Sequence, residues 1–258
     1  MNLLRLPAQN EKAWIPYTFS WLLLFFLLAL VSTFVFTQLQ YDFHWDAVWT
    51  YRQKFFQGFG VTVLLSVFAL ITSLLVGILF ALGQRSELLP IKLFSKLYIE
   101  IIRGTPLLVQ ILLFFYVFAD AFGLENRYVV GVMILAFFAG AYVSEIIRAG
   151  IESIHPTQWE TAKSLGFTRI QTYRFIIFPQ VFKRILPPLA GQFVSLIKDS
   201  SLLSIISVSE LTMNAQEVNS YTYSTLESYI PLALGYMLLT FPISLLSNRL
   251  EKKFSYAN

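Results

Sequence analysis

The chain has 258 residues, of which 56% are hydrophobic, 17% aromatic and 13% charged, with a mean hydropathy of +0.63, and that balance excludes an ordinary soluble globular domain. With no cysteine there is no disulfide framework, no thiolate metal site and no thiol nucleophile. The net charge of +4 comes from basic residues lying between long apolar runs, the positive-inside pattern of a membrane protein rather than a nucleic-acid footprint.

Residues 1–14 carry Arg5 and Lys12, and an uncharged run, Trp21 to Phe36, follows. It exceeds the apolar core of a usual signal peptide and the next residues, Thr37 to Tyr41, contain no small-x-small site, so a retained first span is expected rather than a cleaved leader. The aromatic segment Asp42 to Gln57, with Trp45, Trp49 and Tyr51, suits a water interface. No charge occurs between Phe55 and Gln84, which places a second span at about Gly58 to Leu82. Arg85, Lys92 and Lys96 then read as a short basic loop. A third span is expected from about Tyr98 to Asp120, with Glu100 and Arg103 on one helical face and a backbone loosened at Gly104-Thr105-Pro106. A fourth, Tyr128 to Ile147, ends in Glu145-Ile146-Ile147-Arg148, repeating the Glu-Ile-Ile-Arg of residues 100–103. Each copy is expected to place a glutamate–arginine pair at one membrane face.

The interval Pro156 to Pro179 is polar and carries its own helix signals. Pro156 suits a first turn, Trp159, Ala162 and Leu165 recur on one face, and Gly166 can supply the positive φ that ends the helix. Thr168 with Gln171 predicts a capping box, and Ile170, Tyr173 and Ile177 form a stripe that stops before Pro179. Such a hairpin packs on its own chain or docks a partner.

A fifth span follows Lys183 and Arg184 and contains Leu186-Pro187-Pro188-Leu189 and Lys198-Asp199-Ser200-Ser201-Leu202. Counted from Leu186 at roughly 1.5 Å per residue, Asp199 lies about 20 Å along the helix, near mid-membrane. A carboxylate there must face protein, water or an opposite charge. It either meets a substrate ammonium, with Ser195 one turn earlier and Ser200 or Ser201 beside it, or neutralises a basic residue of a neighbouring helix. Lys198 points about 100° away. A sixth span, Ser228 to Asn248, contains Pro231 and Pro242 and precedes the basic Arg249, Lys252 and Lys253. With both termini cytoplasmic, 15 of the 19 basic residues fall inside, Arg52, Lys54 and Arg127 fall outside and Lys198 lies within a span.

No lysine follows a glycine, so a Walker A loop is missing, and neither Gly-x-Ser-x-Gly nor His-Glu-x-x-His occurs. The two histidines, His44 and His155, sit in loops on opposite sides. A stand-alone channel or proton-coupled carrier, with Asp199 as relay, stays open as a different class of function.

The spacing within 156–179 resembles the EAA motif of ABC importer permeases: Glu160, Ala162, Gly166, Ile176 and Pro179 match in register, while Thr161 and Phe178 depart from it. Ile101 to Gln110, Ala141 to Ile151, Leu186 to Leu189, Lys198 to Leu202 and Glu210-Leu211-Thr212 are similar to segments of the polar amino-acid branch of that family; Ala190-Gly191 departs from it. The likeness covers about Tyr41 to Phe254. It implies an all-α membrane protein of six transmembrane helices, a five-helix type I permease core with one extra N-terminal helix. The divisions are then 1–57 for the tail, first helix and external segment, 58–250 for the core with its coupling loop at 156–179, and 251–258 for a second tail. By resemblance, Trp159, Glu160, Ala162, Gly166, Ile176 and Pro179 form the ATPase-coupling loop. Ser195, Lys198, Asp199, Ser200, Ser201 and Glu210 are candidates for a substrate pathway.

The resemblance further implies an importer subunit for polar amino acids, or for another small polar solute, in a bacterial cytoplasmic membrane. Its partners would be a second permease subunit, identical or related, two ATP-binding subunits, an external amino-acid-binding protein and membrane lipid, with no nucleic acid. It would not itself be an enzyme and would carry no cofactor or metal, ATP and magnesium belonging to the partner ATPase.

Overall fold

The computed structural model describes residues 14–38 and 41–255. Arg5, Lys12, Leu39 and Gln40 of the Thr37 to Tyr41 stretch, and the last residues of the C-terminal tail lie outside the described residues. The chain divides into two units, Met1–Phe43 and His44–Asn258.

In the first unit, α1 (Trp14–Gln38) is uncharged and apolar around its whole circumference. A helix without a polar face has no reason to sit in water, and Thr18–Gln38 is long and apolar enough to cross a membrane.

The second unit begins with α2 (Trp45–Thr50) and the 33-residue α3 (Arg52–Gln84). Next come α4 (Leu89–Gly104) and α5 (Leu107–Leu113), the latter continued by a π turn over Phe114–Ala119. α6 (Arg127–Glu152) is capped by the Asn126 side chain, which accepts from Tyr128 N and Val129 N. α7 (Pro156–Ser164) and α8 (Arg169–Thr172) form the hairpin, a π turn spans Tyr173–Ile177, and α9 (Phe178–Asp199) runs into a 3₁₀ turn, Ser200–Ile206. α10 (Leu211–Thr222) and α11 (Thr225–Ser255) complete the unit. Among the described residues of the chain five helices can cross a membrane, six if α4 and the α5 segment count as one span.

The core is built on α3 against α6. α3 turns Ala69, Ser73, Gly77 and Ala81 inward, one small residue every four, and α6 answers with Ala136, Ala139, Gly140 and Ser144. A Cβ at Gly77 would stand 2.3 Å from Val143, and one at Gly140 would stand 2.6 Å from Val76. In lipid, where apolar burial alone does not drive helices together, backbones approach through such stripes so that dispersion contacts can accumulate. Leu65, Ile111, Val130, Ile134, Leu196 and Leu203 extend this core to α5, α9 and the 3₁₀ turn.

Three sequence expectations are corrected here. The third span is no gently kinked helix: the axis turns by 111° between Gly104 and Leu107, and Lys92 and Lys96 lie on α4 rather than in a loop. Pro106 lacks an N–H and pushes Thr105 into extended conformation (φ −123, ψ 148), which ends α4. The Gln110 amide donates to Ile102 O (2.7 Å), Thr105 O (3.1 Å) and Thr105 Oγ1 (2.8 Å), satisfying carbonyls released at the break.

Second, helical backbone does not stop before Pro179 but continues from Arg169 to Ile206. In the π turn Phe178 N donates to Tyr173 O, five residues back, so the ladder changes register just where proline supplies no donor. Third, Glu100 and Arg103 do not pair. Arg103 reaches across to Glu145 (3.0 Å), whereas the second copy does pair internally, Arg148 Nε to Glu145 Oε1 at 2.9 Å.

Candidate functional site

The 156–179 hairpin is ordered by its own sequence. His155 caps α7, its Nδ1 facing Thr157 N at 3.3 Å, and Pro156 occupies the first turn. At the other end Phe167 N donates to Ala162 O (3.0 Å) and Gly166 N to Lys163 O (3.1 Å), with Gly166 at φ +77. This is a Schellman closure, and it requires the left-handed residue that glycine supplies without a Cβ penalty. The expected capping box is present: Gln171 N donates to Thr168 Oγ1 (3.3 Å) and Thr168 N to Gln171 Oε1 (2.8 Å).

One side of the hairpin is anchored. Ala162 is fully buried, the Trp159 ring meets Tyr173 edge-on at 5.2 Å, and Trp159 and Ile176 pack on the cluster of Ile154, Ile177 and Val181. Arg184 Nη1 donates to Ser153 Oγ at 2.8 Å and ties α9 to the loop before α7. The other side is open: Glu160, Gly166 and Pro179 are exposed, and so are Leu165 and Ile170, at 70% and 79%. Leu165 therefore does not join Trp159 and Ala162 on the packed face, nor does Ile170 join Tyr173 and Ile177, because the chain turns away at Gly166. Four matched motif positions thus divide by role, with Ala162 and Ile176 holding the hairpin to its own chain and Glu160 and Gly166 on the face turned outward.

The second group of candidates is less unified. Asp199 is the last residue of α9, toward the far end of the Arg169–Ile206 span instead of mid-helix, because the helix starts well before Leu186. It is half-buried, and among the described residues no neutralising basic residue from a neighbouring helix pairs with it. Ser195 and Ser201 are also half-buried, Lys198 is exposed, and Ser200 is buried with its hydroxyl donating to Ile197 O at 2.7 Å.

Glu210 is fully buried and caps α10, accepting from Thr212 N, Met213 N and the Tyr236 hydroxyl, each at 2.8 Å. It lies between spans, where burial pushes its carboxyl above the ordinary glutamate range and these donors oppose that rise. Tyr236 was not singled out by sequence. It bridges Glu210 to Thr212, while Asp199 stands outside this network. A tyrosine in an apolar helix carries no signal that its hydroxyl meets an acid 26 positions earlier.

The comparisons with known proteins agree with this architecture. The family model described as "Binding-protein-dependent transport system inner membrane component" matches residues 73–256. The probable glutamine ABC transporter permease protein GlnM of Bacillus subtilis is 36% identical over 199 residues, 77% of this chain and 92% of that protein. The glutamine transport system permease protein GlnP of Escherichia coli K12 is 32% identical over 214 residues, covering 82% and 98%. The L-cystine transport system permease protein TcyB of B. subtilis is 36% identical over 215 residues, covering 81% and 90%. A crystal structure titled as an amino acid ABC transporter with histidines superposes with a TM-score of 0.76 at 39% identity, covering 83% of this chain and all of that one. The MetNI methionine transporter, at 15% identity and a TM-score of 0.61, shares the fold. With its bundle of spans, its small-residue core and its EAA-type hairpin, the chain belongs to the family of binding-protein-dependent transport system inner membrane components, the multi-pass inner-membrane permease subunits of ABC importers.

Proposed function

We propose that this permease moves polar amino acids inward after delivery by an external solute-binding protein, with a second permease subunit, identical or related, completing the pathway and two ATP-binding subunits driving it. The observation that carries the reading is the two-sided hairpin: an anchored base at Ala162, Trp159 and Ile176, and an outward tip at Leu165, Gly166 and Ile170. A rigid element with an exposed apolar tip outside the bilayer is suited to a cleft on another protein. Closure of the ATP-binding subunits draws the two hairpins of a permease pair together and turns the pathway outward. ATP and magnesium stay on those partners, and this chain holds no cofactor or metal. The core is residues 58–250, with both termini cytoplasmic.

The relatives named for glutamine and cystine transport support the substrate class. Asp199, without an ion pair among the described residues, is the acid offered to the substrate ammonium, with Ser195 and Ser201 as polar neighbours. Three measurements test the proposal. Gly166→Val forces a β-branched residue to φ +77, at about 1–2 kcal/mol, and should leave the protein in the membrane while weakening ATPase retention and uptake. Wild-type retention and uptake in that variant would remove the docking role. A cysteine at Ser164, in this cysteine-free chain, should resist an impermeant thiol reagent applied outside intact cells. Asp199→Asn should keep assembly but lose uptake and reorder the preference among cationic, neutral and acidic amino acids, whereas loss of assembly would make Asp199 a structural residue.

A further inference from the structure

An open cleft of about 1100 Å³ lies between the end of α3, the length of α4, the end of α6 and the start of α8. It is separate from the outward tip of the hairpin and from the stretch Ser195 to Glu210. Six basic and three acidic side chains line it. Glu145 and Glu152 are taken up by Arg103 and Arg148, and Arg169 faces Glu87. Arg85, Lys92 and Lys96 are left without an ion pair among the described residues, against Glu100 alone, so the cleft keeps a positive surplus.

α4 presents three arcs as successive residues advance by about 100°. Ser95 and Ile99 turn into the chain and are buried. Lys92, Lys96 and Arg103 occupy the next arc and border the cleft. Leu93, Phe94, Leu97 and Ile101 make the third arc, each more than half exposed. A basic helix with an exposed apolar arc is suited to the plane of a bilayer interface, with its apolar side on acyl chains and its lysines at headgroup depth. The 111° turn after Gly104 sets α4 at a steep angle to the Leu107–Ala119 segment, so the two need not share one orientation in the bilayer.

We propose that this cleft binds an anionic phospholipid, its phosphate and headgroup against Arg85, Lys92 and Lys96 and its acyl chains over Leu93, Leu97 and Ile101. Positive surplus at headgroup depth beside an apolar arc matches that ligand in both charge and polarity. The binding does not depend on which solute the permease carries.

The test is native mass spectrometry of the purified full-length chain, titrated with phosphatidylglycerol and phosphatidylcholine of identical acyl chains. The wild type should retain phosphatidylglycerol preferentially, and Lys92→Gln with Lys96→Gln should weaken that retention by about fivefold per lysine. Lys252→Gln with Lys253→Gln, in the last turn of α11 and outside the lining of the cleft, should leave it unchanged. Equal retention of the two lipids by the wild type, or equal loss in both double variants, would overturn the proposal. Displacement of phosphatidylglycerol by millimolar glycerol 3-phosphate would instead assign the cleft to a soluble anion. A nitroxide at Leu97→Cys in phosphatidylglycerol nanodiscs gives a reading independent of those variants. Collision with dissolved oxygen rather than a water-soluble nickel chelate is expected, and the reverse, or protection from both by a neighbouring subunit, would exclude the acyl-chain contact.

Discussion

The tetrapeptide Glu-Ile-Ile-Arg occurs twice, at 100–103 on α4 and at 145–148 on α6, and the two copies live in different surroundings. Glu145 is a hub, meeting Arg148 at 2.9 and 3.0 Å, Arg103 at 3.0 Å and the Gln84 amide at 3.3 Å. Glu100 is exposed and forms no ion pair among the described residues, and its own arginine is drawn away to Glu145. What separates them is the partner surface. α6 packs along α3, which delivers Gln84, and α4 leans on α6, which delivers Arg103, whereas Glu100 borders an open cleft. Spacing of three along a helix permits a pair worth only a few tenths of a kcal/mol, and a half-buried acceptor with several donors outcompetes it.

The largest effect should come from Glu145→Ala, which leaves Arg103 without its acceptor and Arg148 with Glu152 alone at the junction of α3, α4 and α6. A loss of about 2 kcal/mol is expected, read as a lower midpoint in thermal unfolding of the detergent-solubilised protein. An unchanged midpoint would mean that water serves those arginines as well. Next is Gln110→Leu, which removes the amide holding the break after α4 and should cost about 1–2 kcal/mol. Pulsed electron-resonance distances between labels at Leu97→Cys and Val117→Cys should broaden in that variant, and a distribution as narrow as the parent's would show that Pro106 sets the turn alone. A double-mutant cycle between Arg103→Gln and Glu145→Gln should give a coupling of about 0.5–1 kcal/mol, modest because Arg103 is 44% exposed. Smallest is Glu100→Gln, expected within about 0.5 kcal/mol of the parent by the same midpoint. A loss there as large as for Glu145→Ala would erase the distinction between the copies.

Much of the hairpin was legible because its signals are local. A proline at a first turn, a glycine three past a lysine and a threonine–glutamine pair each satisfy backbone groups within one turn, so residue type and spacing suffice. The broken third span was half legible. Gly104-Thr105-Pro106 marks a weak point, but the angle depends on where α5 finds its core contacts, Leu107 and Ile111 among them, and on Gln110 closing the gap. The continuity through Pro179 was misread because a proline signals a missing donor and not how the ladder compensates; a π turn does so here. The place of Asp199 along its helix was misjudged for a related reason, since the reckoning started the helix at Leu186 when it extends back to Arg169.

By itself the sequence determined that the chain lives in a membrane, roughly where it crosses, and which short stretch carries the permease motif. Those properties follow from uncharged length, basic asymmetry and local capping, all additive along the chain. Only the tertiary structure decided which charges meet, which motif residues anchor the hairpin and which face outward, and that Ala69, Ser73, Gly77 and Ala81 are the seam of α3 rather than four unremarkable small residues. Those outcomes depend on groups far apart in sequence: Gln84 with Glu145, Glu210 with Tyr236, Gly77 with Val143. In a bilayer most of a helix's circumference is equally apolar, so hydrophobic periodicity, the signal that orients a helix in water, gives no direction, and close packing of small residues and satisfaction of a few polar groups choose the contact face instead.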